Sequence, residues 1–135
     1  MKYQVKLFCW RNHRTCLIIM THGRMDRSAV VHILNEMVEV IKPLDGCKIL
    51  IDLQNAVCDF GTEDFIDLPV ELEVHRQAAV GKLKLAMVAT RFPEQYDRVN
   101  SLKEPVARLG IDVGVFYEEE RAIDWLVEES NQRYF

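Results

Sequence analysis

Carboxylates crowd one short stretch of this chain: Asp52, Asp59, Glu63, Asp64 and Asp67. Clustered oxygens of this kind could hold Mg²⁺ or Ca²⁺, and a metal-assisted enzyme would use the segment from Asp52 to Asp59. Asp and Glu at the start of a helix also need no metal to explain them, because they suit the positive end of its dipole. Asp52 itself ends an otherwise apolar run, Ile49-Leu50-Ile51-Asp52-Leu53. A carboxylate there must be paired or used. Either it serves metal or phosphate chemistry, or it accepts backbone N–H bonds from the following loop, and the structural reading is preferred. Thr62 offers a hydroxyl just ahead of Glu63 and Asp64. It reads first as a helix cap and second as a phosphosite, where a phosphate would meet a helix N-terminus but also the repulsion of Asp59, Glu63 and Asp64.

Other chemistry-bearing residues read more plainly. Cys9, His13, Cys16 and His22 lack the spacing of a recognised zinc knuckle. They read as buried thiols, Cys9 and Cys16, and a surface histidine, His13, at the turn tip. A Cys9–Cys16 disulfide fits neighbouring strands, but an intracellular setting disfavours it. His75 falls on the apolar stripe of an expected helix. No catalytic residue, metal ligand set or cofactor is assigned.

These residues need a scaffold, and the hydropathy pattern supplies one. Residues 48–53, 83–90 and 113–117 are short apolar runs, each followed by a segment of helical spacing. That is the signature of a largely parallel sheet covered on both faces. Residues 1–21 read as an antiparallel hairpin turning at Asn12-His13, with Leu7 opposite Ile18, Val5 opposite Met20 and Cys9 opposite Cys16. Its first strand sits at or near an edge, and an exposed edge strand could pair with a second copy. Gly23 breaks the pattern, and Asp26 caps a helix running to about Lys42. Residues 54–61 read as a loop. Helices are expected over 62–81, broken by Pro69, over 93–109, opened by Pro93 and broken by Pro105, and after Glu118. Gly110 marks a helix stop, and residues 130–135 read as a loose tail. The expected fold is α/β: one domain over 1–135, with about five strands and about four helices in the order ββαβαβαβα. Ligands of such sheets bind beyond the carboxyl ends of the strands, here Asp52–Asn55, Thr90-Arg91 and Tyr117-Glu118.

Composition narrows the function classes. Hydrophobic residues make up 49% and charged residues 28% of the 135, as in a folded globular protein. Basic residues number 17 against 21 acidic ones, for a net charge of −4, and they are scattered. That argues against a nucleic-acid binder. No run approaches the length of a membrane span, and the alternating start lacks a secretory signal. The expectation is a cytoplasmic protein with reduced cysteines.

Three stretches resemble the SpoIIAA-like division of the STAS family, the fold of anti-sigma-factor antagonists. They are Pro43 to Leu53, Leu83 to Ala89, and Val115-Phe116-Tyr117-Glu118-Glu119-Glu120-Arg121-Ala122-Ile123-Asp124-Trp125-Leu126. The last is similar to the closing strand, acidic turn and Ala-x-x-Trp-Leu helix of a branch sometimes grouped with lipid carriers. The resemblance implies a non-enzymatic regulatory domain that contacts a protein partner such as a kinase, with the interaction edge at Asp52, Asn55, Asp59 and Thr62. The family's Asp-Ser phosphorylation motif does not occur after Asp52-Leu53, and Thr62 is the nearest hydroxyl. The alternative is a carrier or sensor of a small apolar ligand, held by Phe65, Leu68, Leu72, Tyr96, Val99 and Leu102 between the two proline-bearing helices.

Overall fold

The computed structural model describes residues 2–9, 15–41, 48–65, 83–90 and 92–132. Its elements are β1 (Lys2–Cys9), β2 (Thr15–Asp26), α1 (Arg27–Ile41), β3 (Lys48–Asp52), β4 (Ala56–Asp59), a 3-10 turn (Thr62–Phe65), β5 (Lys84–Val88), α2 (Pro93–Asn100), α3 (Lys103–Ala107), β6 (Asp112–Phe116) and α4 (Glu119–Gln132). The sheet runs β1-β2-β3-β5-β6, with β4 beside the far half of β2. Among the described residues only the β1–β2 pair is antiparallel. The mixed, mostly parallel α/β sheet therefore stands as expected. Among the described residues it has six strands, because β4 forms where the sequence suggested a loop.

The central strands have no wet side. Ile49, Leu50, Leu85, Ala86 and Val88 are all 0% exposed. Side chains alternate along a strand, so each strand feeds two cores. Ile19, Ile49, Ile51, Leu85 and Met87 share one cluster with Val30, Ile33, Leu34 and Met37 of α1. Ile18, Leu50, Ala86 and Val88 pack with Ala122 and Leu126 of α4 on the other face. Lys84 is buried at the start of β5, where its Nζ donates to the Trp125 carbonyl at 2.6 Å and lies 4.2 Å from the indole centroid.

The hairpin register differs from expectation by one residue. Leu7 faces Leu17, Val5 faces Ile19, and Cys9 faces Thr15 rather than Cys16. The expected register gathered Tyr3, Val5, Leu7, Cys9, Cys16, Ile18 and Met20 on one face. Ile18 and Ile19 in fact point into different cores, and a strand buried on both faces does not fix its register by apolar pattern. The expected turn at Asn12-His13 lies outside the described residues.

Gly23 does not end β2. It takes φ 97°, a conformation open to glycine, and the strand continues to Asp26 beside a new partner, β4. Asp26 then caps α1 as expected, its Oδ1 accepting the Ala29 N–H at 2.9 Å.

The expected helix over 93–109 is two helices, α2 and α3. Pro93 opens the first. The break falls at Ser101-Leu102 rather than at Pro105 itself. A proline ring clashes with the carbonyl four residues back and lacks an N–H, so Pro105 is accommodated in the first turn of α3. Gly110, at φ 91°, follows α3. α4 reaches Gln132, past the point where a loose tail was expected. Of the expected 62–81 helix, the 3-10 turn is described. Leu68, Pro69, Leu72, His75 and Ala79 lie outside the described residues.

Candidate functional site

The carboxyl edge of the sheet is built around a jog between β3 and β4. Met20 pairs with Asp52, and Gly23 pairs with Ala56. Thr21 and His22 on β2 thus face Leu53, Gln54 and Asn55, one residue more. The extra residue is taken up as a turn in which the Ala56 N–H bonds the Leu53 carbonyl at 3.2 Å. Asp52 templates that turn. Its Oδ1 accepts the Gln54 N–H at 3.0 Å, an Asx arrangement. Its carbonyl accepts the Thr21 hydroxyl at 2.7 Å, and the Leu53 N–H bonds the Val88 carbonyl at 2.8 Å. The turn leaves Asn55 exposed.

Past the turn, β4 presents Val57 outward at 60% exposure and Asp59 beside it. Asp59 accepts from Arg24 Nε at 2.9 Å and lies 3.7 Å from Arg98, which in turn pairs with Glu94 at 3.0 Å. These pairs are solvent-exposed, so they orient the surface more than they stabilise it. The free side of β4 is closed by α2. The Cys58 N–H donates to Gln95 Oε1 at 2.8 Å, and Arg98 Nη1 donates to the Cys58 carbonyl at 3.2 Å. Two side chains thereby replace a neighbouring strand. The Cys58 thiol is buried, and burial pushes its pKa up to about 11 against the opposing pull of Arg98. It is inert as a nucleophile at neutral pH.

The Asp64 carboxylate is engaged by backbone. Asp64 Oδ2 accepts the Gly61 N–H at 2.8 Å, and the Asp64 carbonyl accepts Arg27 Nε at 2.8 Å. Among the described residues no three His, Cys, Asp or Glu gather as a metal site. The structure therefore does not bring Asp52, Asp59, Glu63 and Asp64 together, and Asp67 lies outside the described residues. Thr62 opens the 3-10 turn.

Of the apolar-pocket candidates, Phe65, Val99 and Leu102 belong to the larger core cluster and Tyr96 packs against it, while Leu68 and Leu72 lie outside the described residues. Phe65 and Val99 are fully buried, and Phe65 meets Phe60 edge-on at 5.1 Å. Tyr96 stacks on Tyr117 with centroids 4.2 Å apart. Leu102 alone of the described candidates borders a small pocket of about 20 Å³ lined by Met25, Val30, Leu34, Leu85 and Val106 among others. A space of that size seats roughly one water, and a benzene-sized guest needs about 150 Å³.

Sequence reading missed Arg24, Gln95 and Arg98. The spacing of Glu94 and Arg98 marks a helical ion pair, but nothing in the sequence says that Gln95 reaches a strand 37 residues earlier. No helix among the described residues is long and apolar enough to cross a membrane.

A sheet ordered this way, with helices on both faces and an N-terminal antiparallel pair, is a SpoIIAA-like fold. The chain is similar to the crystal structure of an uncharacterised DUF3478-family protein with a SpoIIAA-like fold from Shewanella loihica PV-4. The TM-score is 0.55 at 12% identity, over 92% of this chain and 93% of that one. No family model matches the sequence, and no curated protein does.

Proposed function

We propose that this chain is a non-enzymatic regulatory domain that works through protein contacts, with Asp52, Asn55, Asp59 and Thr62 marking its interaction edge. The observation that carries this reading is the use of Asp52. Its carboxylate is engaged by the Gln54 amide, so the residue most suited to chemistry shapes a turn instead. The edge it shapes displays Asn55, Val57, Asp59 and Arg24, a mixed polar and apolar surface of the kind that partners read. The SpoIIAA-like fold supports the same reading.

The test is affinity purification from the native cell under gentle conditions, with wild type and with Val57→Glu. Val57 is exposed, so the substitution leaves the core intact. A partner retained by wild type and lost with Val57→Glu is the expected result. No partner, or one held equally by both, overturns the proposal.

A further inference from the structure

Among the described residues, the two most exposed large aromatic side chains sit at neighbouring strand ends. Phe92 follows β5 at 73% exposure, and Tyr117 follows β6 at 45%. The backbone is fixed at both, and the Tyr117 ring is fixed as well. The Ala89 N–H bonds the Phe116 carbonyl at 2.8 Å, tying the two strand ends together. Tyr117 lies nearly parallel to the half-buried Tyr96, at 14° between ring planes. The Phe92 carbonyl accepts the Tyr96 N–H at 3.0 Å, and Pro93 fixes the backbone beyond it. The stacked pair Tyr96 and Tyr117 is preorganised and loses little freedom on binding.

The charge carried by the segments that bear the rings selects the occupant. The segments Arg91–Arg98 and Tyr117–Asp124 carry Glu94, Asp97, Glu118, Glu119, Glu120 and Asp124 against Arg91, Arg98 and Arg121. Arg98 is already committed to Asp59, Glu94 and the Cys58 carbonyl. Glu94, Asp97, Glu119 and Glu120 are exposed. Glu119 and Glu120 suit the start of α4, but that does not account for the exposed ring of Tyr117 just ahead of them in the chain. Exposed rings also stack nucleic-acid bases, yet carboxylates repel the phosphates such binding requires. A cation over a tyrosine or phenylalanine face, with carboxylates at the rim, is favourable on both counts.

We propose that Phe92, Tyr96 and Tyr117 form a docking surface for a Lys- or Arg-bearing segment of a partner protein. This rests on the protein-contact reading and specifies the partner's chemistry. The test selects binders of the full chain from a random 12-residue peptide library, then measures the winners by fluorescence anisotropy. Expected are peptides rich in Arg or Lys. Their affinity falls about tenfold or more in Phe92→Ser/Tyr117→Ser and in Glu119→Lys/Glu120→Lys, the size of a lost cation–π contact with its supporting charge. The charge-reversed variant keeps the aromatic stack, so it answers even where the first variant loosens the fold. No selected peptide, peptides without basic excess, indifference to the charge reversal, or tighter binding of single-stranded oligouridine each overturns the proposal. Retention of a native partner that depends on Val57, alongside such a failure, leaves the contact reading standing and removes only the basic-partner assignment.

Discussion

Gln95→Ala isolates the clamp that closes the free side of β4. The Cys58 residue is 2% exposed, and its N–H has Gln95 Oε1 as acceptor at 2.8 Å. Truncation leaves that donor buried without a partner, at a cost of about 1–3 kcal/mol. With a urea dependence of roughly 1–3 kcal/mol per molar, a loss near the middle of that range moves the unfolding midpoint by about 1 M. Gln95→Glu keeps an acceptor oxygen at the same reach and retains most of the stability. Native-state hydrogen exchange gives the local view, because the Cys58 amide exchanges faster in Gln95→Ala while the β3 and β5 amides keep their protection relative to global stability. A Gln95→Ala midpoint matching wild type, with unchanged Cys58 protection, would refute the claim that α2 stands in for a neighbouring strand.

Three further outcomes follow from the same physical chemistry. Asp26→Ala removes the acceptor for the Ala29 N–H and costs about 1 kcal/mol in urea unfolding; a change within error would mean the cap is idle. Gly110→Ala meets no neighbouring atom but must adopt φ 91°, so about 1 kcal/mol is lost to backbone strain, and Gly110→Asn loses less. The Cys58 thiol is raised from 9.0 to about 11 by burial. A raised folded value contributes stability that is complete below the unfolded pKa and is lost as pH rises through the folded one. Wild type should therefore lose stability relative to Cys58→Ala between about pH 9 and 11, and parallel pH profiles would contradict the burial argument.

The buried strands were readable because Ile49–Leu53 and Leu83–Ala89 are apolar at nearly every position, which a sheet covered on both faces requires. The Asp26 cap and the Gly110 stop were readable because both are local, set within a few residues. The same double-sided burial concealed the hairpin register, since Ile18 and Ile19 satisfy either face. β4 was hidden by its length and by the loop formers Asn55, Asp59 and Gly61 in and around it: Ala56-Val57-Cys58-Asp59 looks like loop, and it becomes a strand because β2 runs on past Gly23 to receive it. The structural role of Asp52 was legible in outline, as a carboxylate accepting from the next loop. The clamp from Gln95 and Arg98 was not, because it joins residues far apart in the chain. The aromatic surface was legible in part. Tyr117-Glu118 was named as a strand end, but Tyr96 was read as a pocket wall, and its stacking on Tyr117 depends on how α2 meets β6.

In-cell photocrosslinking addresses the central claim most directly. A photoreactive phenylalanine analogue is placed at position 57 on the carboxyl edge, and at position 112 on the exposed amino end of β6. The account predicts a discrete protein adduct at 57 and none at 112. Adducts at 112 alone, equal adducts at both, or none at 57 would contradict a contact surface at the carboxyl edge.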